Sequence, residues 1–234
     1  MRFEPHSHSH YSNIRLIDSI NKPKDMILTA SKLGYAGIAL TDHEALCGHV
    51  EWLELEKELK ENKKIPEDFK CALGNEIYLI NERGQKQTYW HYLLIAKNDD
   101  GHRALRELSS NAWLNSYTDR RMERVPTTKK ELEAIVKKYP NSLISDSACL
   151  GSNLDGLVLK LVDAEEAEDK ELVLNLKKEI DDFLKWNISL FGDDFYIEIA
   201  PGRSKDQKKF NKRIKSIADF YHRKIIIGTD AHYL

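Results

Sequence analysis

Five clusters of metal-capable side chains punctuate this chain, and each stands where an apolar, strand-like run stops. His6, His8 and His10 follow the first run. Thr41-Asp42-His43 closes Gly37-Ile38-Ala39-Leu40, and Gly74-Asn75-Glu76 closes Cys71-Ala72-Leu73. Ser147-Ala148-Cys149 comes after Leu143-Ile144-Ser145, and Thr229-Asp230-Ala231-His232 after Ile225-Ile226-Ile227-Gly228. Active sites of α/β barrels gather at the carboxyl ends of their strands. One such placement arises by chance, but five in one chain point to an α/β barrel-like scaffold with a metal centre on one rim.

The spacing between the clusters agrees. Strands are predicted near 2–6, 36–41, 70–80, 89–96, 142–146, 194–199 and 224–229. Amphipathic helices are predicted near 23–33, 48–62, 101–115, 128–138, 163–187 and 205–222. This alternation argues for βα units and a largely parallel sheet. The last strand, Lys224 to Gly228, reads as fully buried. Pro23 marks one helix start, and Thr127 or Thr128 with Glu131 forms a capping-box signature at another. The charge-rich stretch Asp163 to Glu171 reads as a solvated helix face.

The segment 70–96 breaks the alternation, because two strand-like runs flank Asn81-Glu82-Arg83-Gly84-Gln85-Lys86. That loop reads as a hairpin turn with Gly84 at its tip. A turn centred on Arg83-Gly84 sets Glu76 directly opposite His91, close enough to share an ion.

At 234 residues and 41% hydrophobic, the chain suits one barrel-sized domain with a real core. The formal net charge of -2 does not advertise nucleic-acid binding, so any DNA contact must come from a local patch. No apolar run is long enough to cross a membrane, and the N-terminus carries no apolar signal core. Cys47, Cys71 and Cys149 have neither disulfide-framework nor zinc-ribbon spacing, which fits a reducing, cytoplasmic setting.

Imidazole, carboxylate and one thiolate together suit zinc or a similar divalent ion. Alternating His6, His8 and His10 share a face of an extended chain and converge readily. Metal ions lower the pKa of a bound water and polarise phosphoryl oxygens, which directs the reading to phosphoester chemistry. No Walker loop, dinucleotide fingerprint or Gly-x-Ser-x-Gly elbow competes.

The motifs His6-Ser7-His8-Ser9-His10-Tyr11-Ser12, Thr41-Asp42-His43, Gly74-Asn75-Glu76-Ile77, His91 to Ala96, Ser147-Ala148-Cys149-Leu150 and Thr229 to Leu234 run in order along the whole chain. In this the chain resembles a PHP (polymerase and histidinol phosphatase) domain. It is most similar to the N-terminal PHP domain of bacterial and phage DNA polymerase III alpha subunits. The resemblance implies a distorted seven-stranded (β/α) barrel, a single PHP domain over 1–234, and two or three divalent ions, zinc or manganese. The implied ligands are His6, His8, Asp18, His43, Glu76, His91, Cys149, Asp230 and His232. His6, His8, Glu76 and Asp230 would hold one ion. Asp18, His43 and His232 would hold a second, and Glu76, His91 and Cys149 a third, with Glu76 bridging. Cys149 is the mark of the polymerase branch, since the free-standing phosphatases usually carry histidine there.

The chain departs from the family pattern at several places. Asn13-Ile14-Arg15 reads as an insertion before Asp18, and Ala148 stands where glycine is common. The sequence stops after the last motif, so the barrel is expected to lack its final helix, and no polymerase palm is present. The expected partners are a DNA 3′ end and the remainder of a polymerase.

Among the other candidates, Arg203, after the sixth strand, suits either a phosphate grip or plain solvent. Lys205, Lys208, Lys209, Lys212, Arg213 and Lys215 form a basic helix that suits either a DNA backbone or plain solvent. His10 stands outside the ligand set. His49 reads as structural or surface, His102 and His222 as surface, and Cys47 and Cys71 as small buried side chains. Three functions remain open on this reading: a metal-dependent 3′–5′ exonuclease, a metal-stabilised structural module of a polymerase without turnover, and a small-molecule phosphatase of the histidinol-phosphatase type.

Overall fold

The computed structural model describes residues 2–14, 17–84 and 88–233. In chain order the elements are β1 (Phe3–Glu4), α1 (Pro23–Lys32), β2 (Gly37–Leu40), α2 (His49–Glu61), β3 (Lys70–Ile80), β4 (Trp90–Ala96) and α3 (Asp99–Leu114). A small excursion follows in β5 (Tyr117–Asp119), β6 (Met122–Arg124) and β7 (Thr127–Thr128). The rest is α4 (Lys129–Lys138), β8 (Leu143–Asp146), α5 (Asn153–Glu166), α6 (Lys170–Phe191), β9 (Phe195–Ile199), α7 (Lys205–Phe220) and β10 (Ile225–Ile227).

Seven strands follow one another as β1-β2-β3-β4-β8-β9-β10, while β7 pairs with the far end of β3. Every neighbouring pair on this path is parallel except the two made by β4, which is reversed against β3 and β8. The sheet curls into a nearly closed barrel. Its first and last strands meet at an isolated bridge between Ser7 and Ala231. There His8 N–H donates to the Ala231 carbonyl at 3.0 Å, and the Asn21 side-chain amide donates to the carbonyls of His8 and Ala231 at 3.0 and 3.1 Å.

Strand alternation sorts the side chains. On β3, β4, β8 and β9, residues such as Ile77, Leu79, Tyr92, Leu94, Leu143, Phe195 and Ile197 pack outward against the helices in the main core. A second core joins α1 and α2 to β2 through Met26, Ile27, Leu40, Trp52 and Phe69. The opposite face lines the barrel. It carries a small apolar cluster of Ala39, Leu93, Ile95 and Ala148, together with buried Glu76, Asp146 and Glu198.

Local signals hold where they are chemically specific. Pro23 opens α1, and Thr128 and Glu131 cap α4 reciprocally: Thr128 Oγ1 accepts from Glu131 N at 3.2 Å, and Glu131 Oε2 accepts from Thr128 N at 2.8 Å. A cap of this kind is worth about 1 kcal/mol.

Four expectations are corrected. The helix expected at 163–187 is two helices, because Glu168 turns at φ 55° and Asp169 caps a new start. The charged stretch is therefore the end of α5, a turn and the start of α6. Two of its acids are paired across to α7, Asp163 with Lys209 at 2.7 Å and Glu165 with Arg213 at 2.9 Å, and most of the stretch is exposed, as a solvated face requires. The last strand is not fully buried; Ile225 and Ile226 are half-buried and Ile227 is 48% exposed, since β10 has a ladder partner on one side only among the described residues. Finally, Tyr78 rather than Glu76 faces His91, so the β3–β4 register differs by two residues from the one expected. Part of that loop, residues 85–87, lies outside the described residues.

Candidate metal centre

The two-residue offset leaves side-chain parity intact, so Glu76 and His91 still share the barrel's inner face. Glu76 sits diagonally from His91, and its Oε1 lies 2.7 Å from His91 Nδ1. Because β4 runs backward, His91 near its beginning comes to the same rim as the residues that follow the ends of the parallel strands.

The nine sequence-predicted ligands fall in one cluster, with Glu76 at its middle and Asp18 and His232 joined to it through His43 and His8. His6 Nε2 and His8 Nε2 are 3.1 Å apart. Asp230 Oδ1 lies 3.3 Å from the first and 3.1 Å from the second, and the Glu76 oxygens lie 3.5 and 3.3 Å from them. Asp18 Oδ2 is 3.1 Å from His43 Nε2 and 3.4 Å from His232 Nε2. Cys149 Sγ is 3.6 Å from His91 Nδ1 and 4.0 Å from Glu76 Oε1. Tetrahedral zinc with bonds of about 2.0–2.3 Å has ligand-to-ligand edges of about 3.3–3.8 Å, and most of these separations lie within a few tenths of an ångström of that range.

The polar bookkeeping fits as well. His43 Nδ1, Glu76 Oε2 and Asp230 Oδ1 are buried without a hydrogen bond. His43 Nδ1 and Glu76 Oε2 lie only 2.8 Å apart, but not in hydrogen-bonding geometry. Buried polar atoms are normally satisfied, and a cation between these atoms would satisfy them. Imidazole nitrogens, carboxylate oxygens and a thiol sulfur are the donor set of zinc and its neighbours.

The charges are strongly coupled. Burial disfavours the His6 cation, but Glu198 and Glu76 outweigh it and raise its pKa. Burial is opposed in the same way at His43, where Glu76 and Asp18 bring the pKa up to about 10. His8 has no such excess of acid and is pushed down by burial to about 4. Burial would raise Glu76 and Asp230, but the surrounding imidazoles hold both below the usual carboxylate range. Burial and the Glu76 charge push the Cys149 thiol up. Without an ion, His6 and His43 are thus held as imidazolium groups against the Glu76 and Asp230 carboxylates, with His8 neutral between them.

Outer contacts orient the ligands, as is general at metal-binding histidines. His6 Nδ1 faces both oxygens of Glu198, at 3.0 and 3.1 Å. Ser12 Oγ stands 3.1 Å from His8 Nδ1 and donates to Asp42 Oδ1 at 2.7 Å. Asp42 also accepts from Ser9 N and Ser9 Oγ. His232 Nδ1 is 2.9 Å from the Asp230 carbonyl. Sequence reasoning missed Glu198 altogether. Its signal was a carboxylate inside the apolar strand Phe195-Tyr196-Ile197-Glu198-Ile199.

Two residues of the site are also in left-handed backbone conformations. Ala148 and Asp230 adopt φ of 60° and 49°, left-handed values that cost a non-glycine residue roughly 1–2 kcal/mol. Ala148 keeps this conformation with its N–H on Asp146 Oδ1 at 2.7 Å. Gly151 packs against the His91 ring so closely that a Cβ would lie 2.8 Å from it.

The remaining candidates separate from the centre. His10 is exposed and turns to the Asn21 carbonyl at 3.2 Å. His49 is buried between the Gly74 carbonyl and His102, which is half-buried rather than a free surface residue. His222 is exposed, as expected. Cys71 is buried as expected, but Cys47 is exposed because the turn before α2 carries it outward. Arg203 is exposed in the loop between β9 and α7. Lys209 and Arg213 of the basic helix are neutralised by α5.

The PHP domain pattern matches residues 4–202. The chain belongs to the PHP domain family. Among its relatives, "Probable DNA polymerase YorL" of Bacillus subtilis and a DNA-directed DNA polymerase of Bacillus phage SPbeta are each 42% identical over 238 residues. The DNA polymerase III subunit alpha of Borreliella burgdorferi is 32% identical over 236 residues. These matches cover 98% of this chain but 18% of each relative, so the chain spans less than a fifth of their length. A Bifidobacterium adolescentis structure assigned as a metal-dependent phosphoesterase shares the fold, with a TM-score of 0.53 at 15% identity over 100% of this chain and 88% of that one. Among the described residues no helix is long and apolar enough to cross a membrane.

Proposed function

We propose that this PHP domain is the metal-dependent phosphoesterase part of a polymerase III alpha-type replication protein and removes nucleotides from a DNA 3′ end. The observation that carries this reading is one cluster of ligand-type side chains built around Glu76, in which His6, His8, His43, His91, Asp230 and His232 gather with it and Asp18 and Cys149 stand at its edge, with buried polar atoms left unsatisfied between them. His6, His8, Glu76 and Asp230 would hold one ion; Asp18, His43 and His232 a second; Glu76, His91 and Cys149 a third. Zinc or manganese fits this donor set. Ions so held polarise a phosphoryl oxygen and make water a better nucleophile near neutral pH.

The chain's own residues do the rest. His6, His8 and Glu76 form a fully buried floor, whereas Asp18, with its side chain 43% exposed, and half-buried His91 and His232 form an open rim. A cleft of about 450 Å³ over Asp18, Asp230, His232 and Tyr233 gives a phosphodiester room to reach that rim. Hydrolysis there adds the oxygen of water to phosphorus and returns a proton to the departing 3′ oxygen.

One observation favours a second reading, in which the metals brace the fold without turnover. The barrel seam has one isolated backbone bridge among the described residues, and His8 and Asp230 lie on either side of it, so an ion between them would staple first strand to last. The test is cleavage of a 3′-labelled single strand with added manganese or zinc, comparing wild type with His43→Ala. Metal-dependent release of 3′ nucleotides by wild type alone supports the exonuclease. Full metal loading with no cleavage by either supports the brace. Much faster hydrolysis of histidinol phosphate than of DNA supports a small-molecule phosphatase.

A further inference from the structure

Beside the loop that follows His43 lies a separate cleft of about 580 Å³, lined by Ile14, Ala45, Leu46, Arg106, Ser109 and Trp113 among others. That is the size of a small-molecule subsite. Its walls are extensions of the ligand-bearing segments. Trp113 Nε1 donates to the Glu44 carbonyl at 3.0 Å, and the Glu44 N–H donates to the Glu76 carbonyl at 2.9 Å. A single residue therefore ties the indole to the strand that carries the central ligand. Ile14, on the other wall, adjoins Asn13, whose Oδ1 accepts from the backbone N–H groups of Asp18 and Ser19 at 2.7 and 2.9 Å.

The cleft has the chemistry of a base platform beside a phosphate grip. Trp113 is half-buried and its ring is tied by its hydrogen bond, while Ile14, Ala45 and Leu46 supply the aliphatic part of the lining. Arg106 is exposed and has no ion pair or hydrogen bond among the described residues. That sets it apart from Lys209, Arg213, Lys138 and Lys185, each of which is matched to an acid. Among the described residues, the neutral polar side chains of the lining are the hydroxyls of Ser109 and Ser110 and the thiol of Cys47, all too short to form an array that reads base edges.

We propose that this cleft receives single-stranded nucleic acid, with an unpaired base stacked on Trp113 and a backbone phosphate on Arg106. The strand would be tethered next to the metal centre irrespective of base identity. This rests on the phosphoesterase reading above. Stacking of bases on aromatic side chains is sequence-tolerant.

The test is equilibrium binding of a short fluorescent phosphorothioate oligo(dT), which resists cleavage, to the metal-loaded chain across a salt series. Far-UV circular dichroism and metal content establish that each variant is folded. Trp113→Ala is expected to weaken binding about 5- to 150-fold, the range for loss of one stacked base, while Trp113→Phe retains most of it. Arg106→Gln is expected to lower the salt dependence by about one phosphate contact. Oligo(dT) should also quench wild-type tryptophan emission, and the quench should vanish in Trp113→Phe. Hydrolysis of bis(p-nitrophenyl) phosphate by wild type is measured alongside. If that substrate is turned over but all variants bind oligo(dT) like wild type, the cleft serves a protein side chain instead and the inference is overturned alone. If it is not turned over but binding falls as expected, the cleft stands and the phosphoesterase reading fails. Absence of wild-type binding at low salt also overturns the inference.

Discussion

Glu76 and His91 are not cross-strand partners, yet Glu76 Oε1 lies 2.7 Å from His91 Nδ1, while the other oxygen of the same carboxylate lies 2.8 Å from His43 Nδ1 and 3.3 Å from His8 Nε2. One side chain thus touches ligands of every proposed ion. Glu76→Gln keeps the volume and removes the charge, so it should damage more than one site at once. We expect a loss of metal affinity exceeding the roughly 10–100-fold typical of deleting an outer-shell partner. His10→Ala, whose side chain faces the Asn21 carbonyl, should stay within about twofold of wild type, since such a surface change removes no ligand. Zinc and manganese titrations followed by elemental analysis check this; equal losses in the two variants would show that the cluster is wrongly assigned.

Metal uptake should expel protons. His43, raised to about 10 by Glu76 and Asp18 against burial, is an imidazolium at neutral pH in the metal-free chain. A ligand histidine must be neutral. The affinity is therefore expected to rise with pH up to about 10, with about one proton released per His43 engaged at neutral pH. The sign is opposite for the metal-free fold. A raised histidine pKa contributes stability that is fully present below about 6.5 and is lost as pH climbs through about 10. Calorimetric titration in buffers of different ionisation enthalpy measures the proton count. Binding heats independent of the buffer would refute the linkage.

The outer contact at His6 gives a sharper geometric test. A Cβ on Gly228 would lie 2.3 Å from the Glu198 carboxyl carbon, well inside contact distance. Gly228→Ala must therefore push Glu198 off His6 Nδ1. We expect about 10–100-fold weaker metal binding, the usual cost of losing such a partner. Glu198→Gln, which still offers an acceptor to His6, should cost less. Because both changes act on one contact, their effects should not add. Additive losses in a double-mutant cycle would mean that Gly228 acts elsewhere.

Much of this architecture was legible from sequence because the ligands are tied to strand ends, and strand ends are marked by short apolar runs. All seven predicted strands of the curled sheet form, and the hairpin register, though off by two residues, still put Glu76 and His91 on one face. What sequence did not give is what depends on three-dimensional crossing. The β3–β4 register rests on loop geometry that a glycine alone does not determine. The α5 start was signalled by Ser152-Asn153-Leu154-Asp155, a capping pattern in which Ser152 accepts from Asp155 N at 3.1 Å, but the charge run downstream obscured it. Glu198 reaches His6 from 192 residues away, and no local pattern announces such a partner. The small β5–β6 excursion has too few residues to produce a period.

The seam between the first and last strands yields the last prediction. Ser7 and Ala231 make the one isolated bridge there, with His8 N–H on the Ala231 carbonyl. Ser19 Oγ, 2.8 and 3.0 Å from the carbonyls of His8 and His232, and the Asn21 amide add polar clamps but little apolar contact. His8 and Asp230 face one another across this gap at 3.1 Å, so a bound ion would add its binding free energy to the weakest joint in the barrel. At a free-ion concentration about 1,000 times Kd, one ion contributes about 4 kcal/mol. For a chain of this size that corresponds to a Tm change of roughly 8–16 °C. Chelation is expected to produce a drop of that order, together with faster amide exchange at His8 and Ala231 while α3 and β4 stay protected. Uniform loss of protection would mean that the ions hold the whole fold. An unchanged Tm and unchanged exchange at the seam would mean that the ions do not staple it at all.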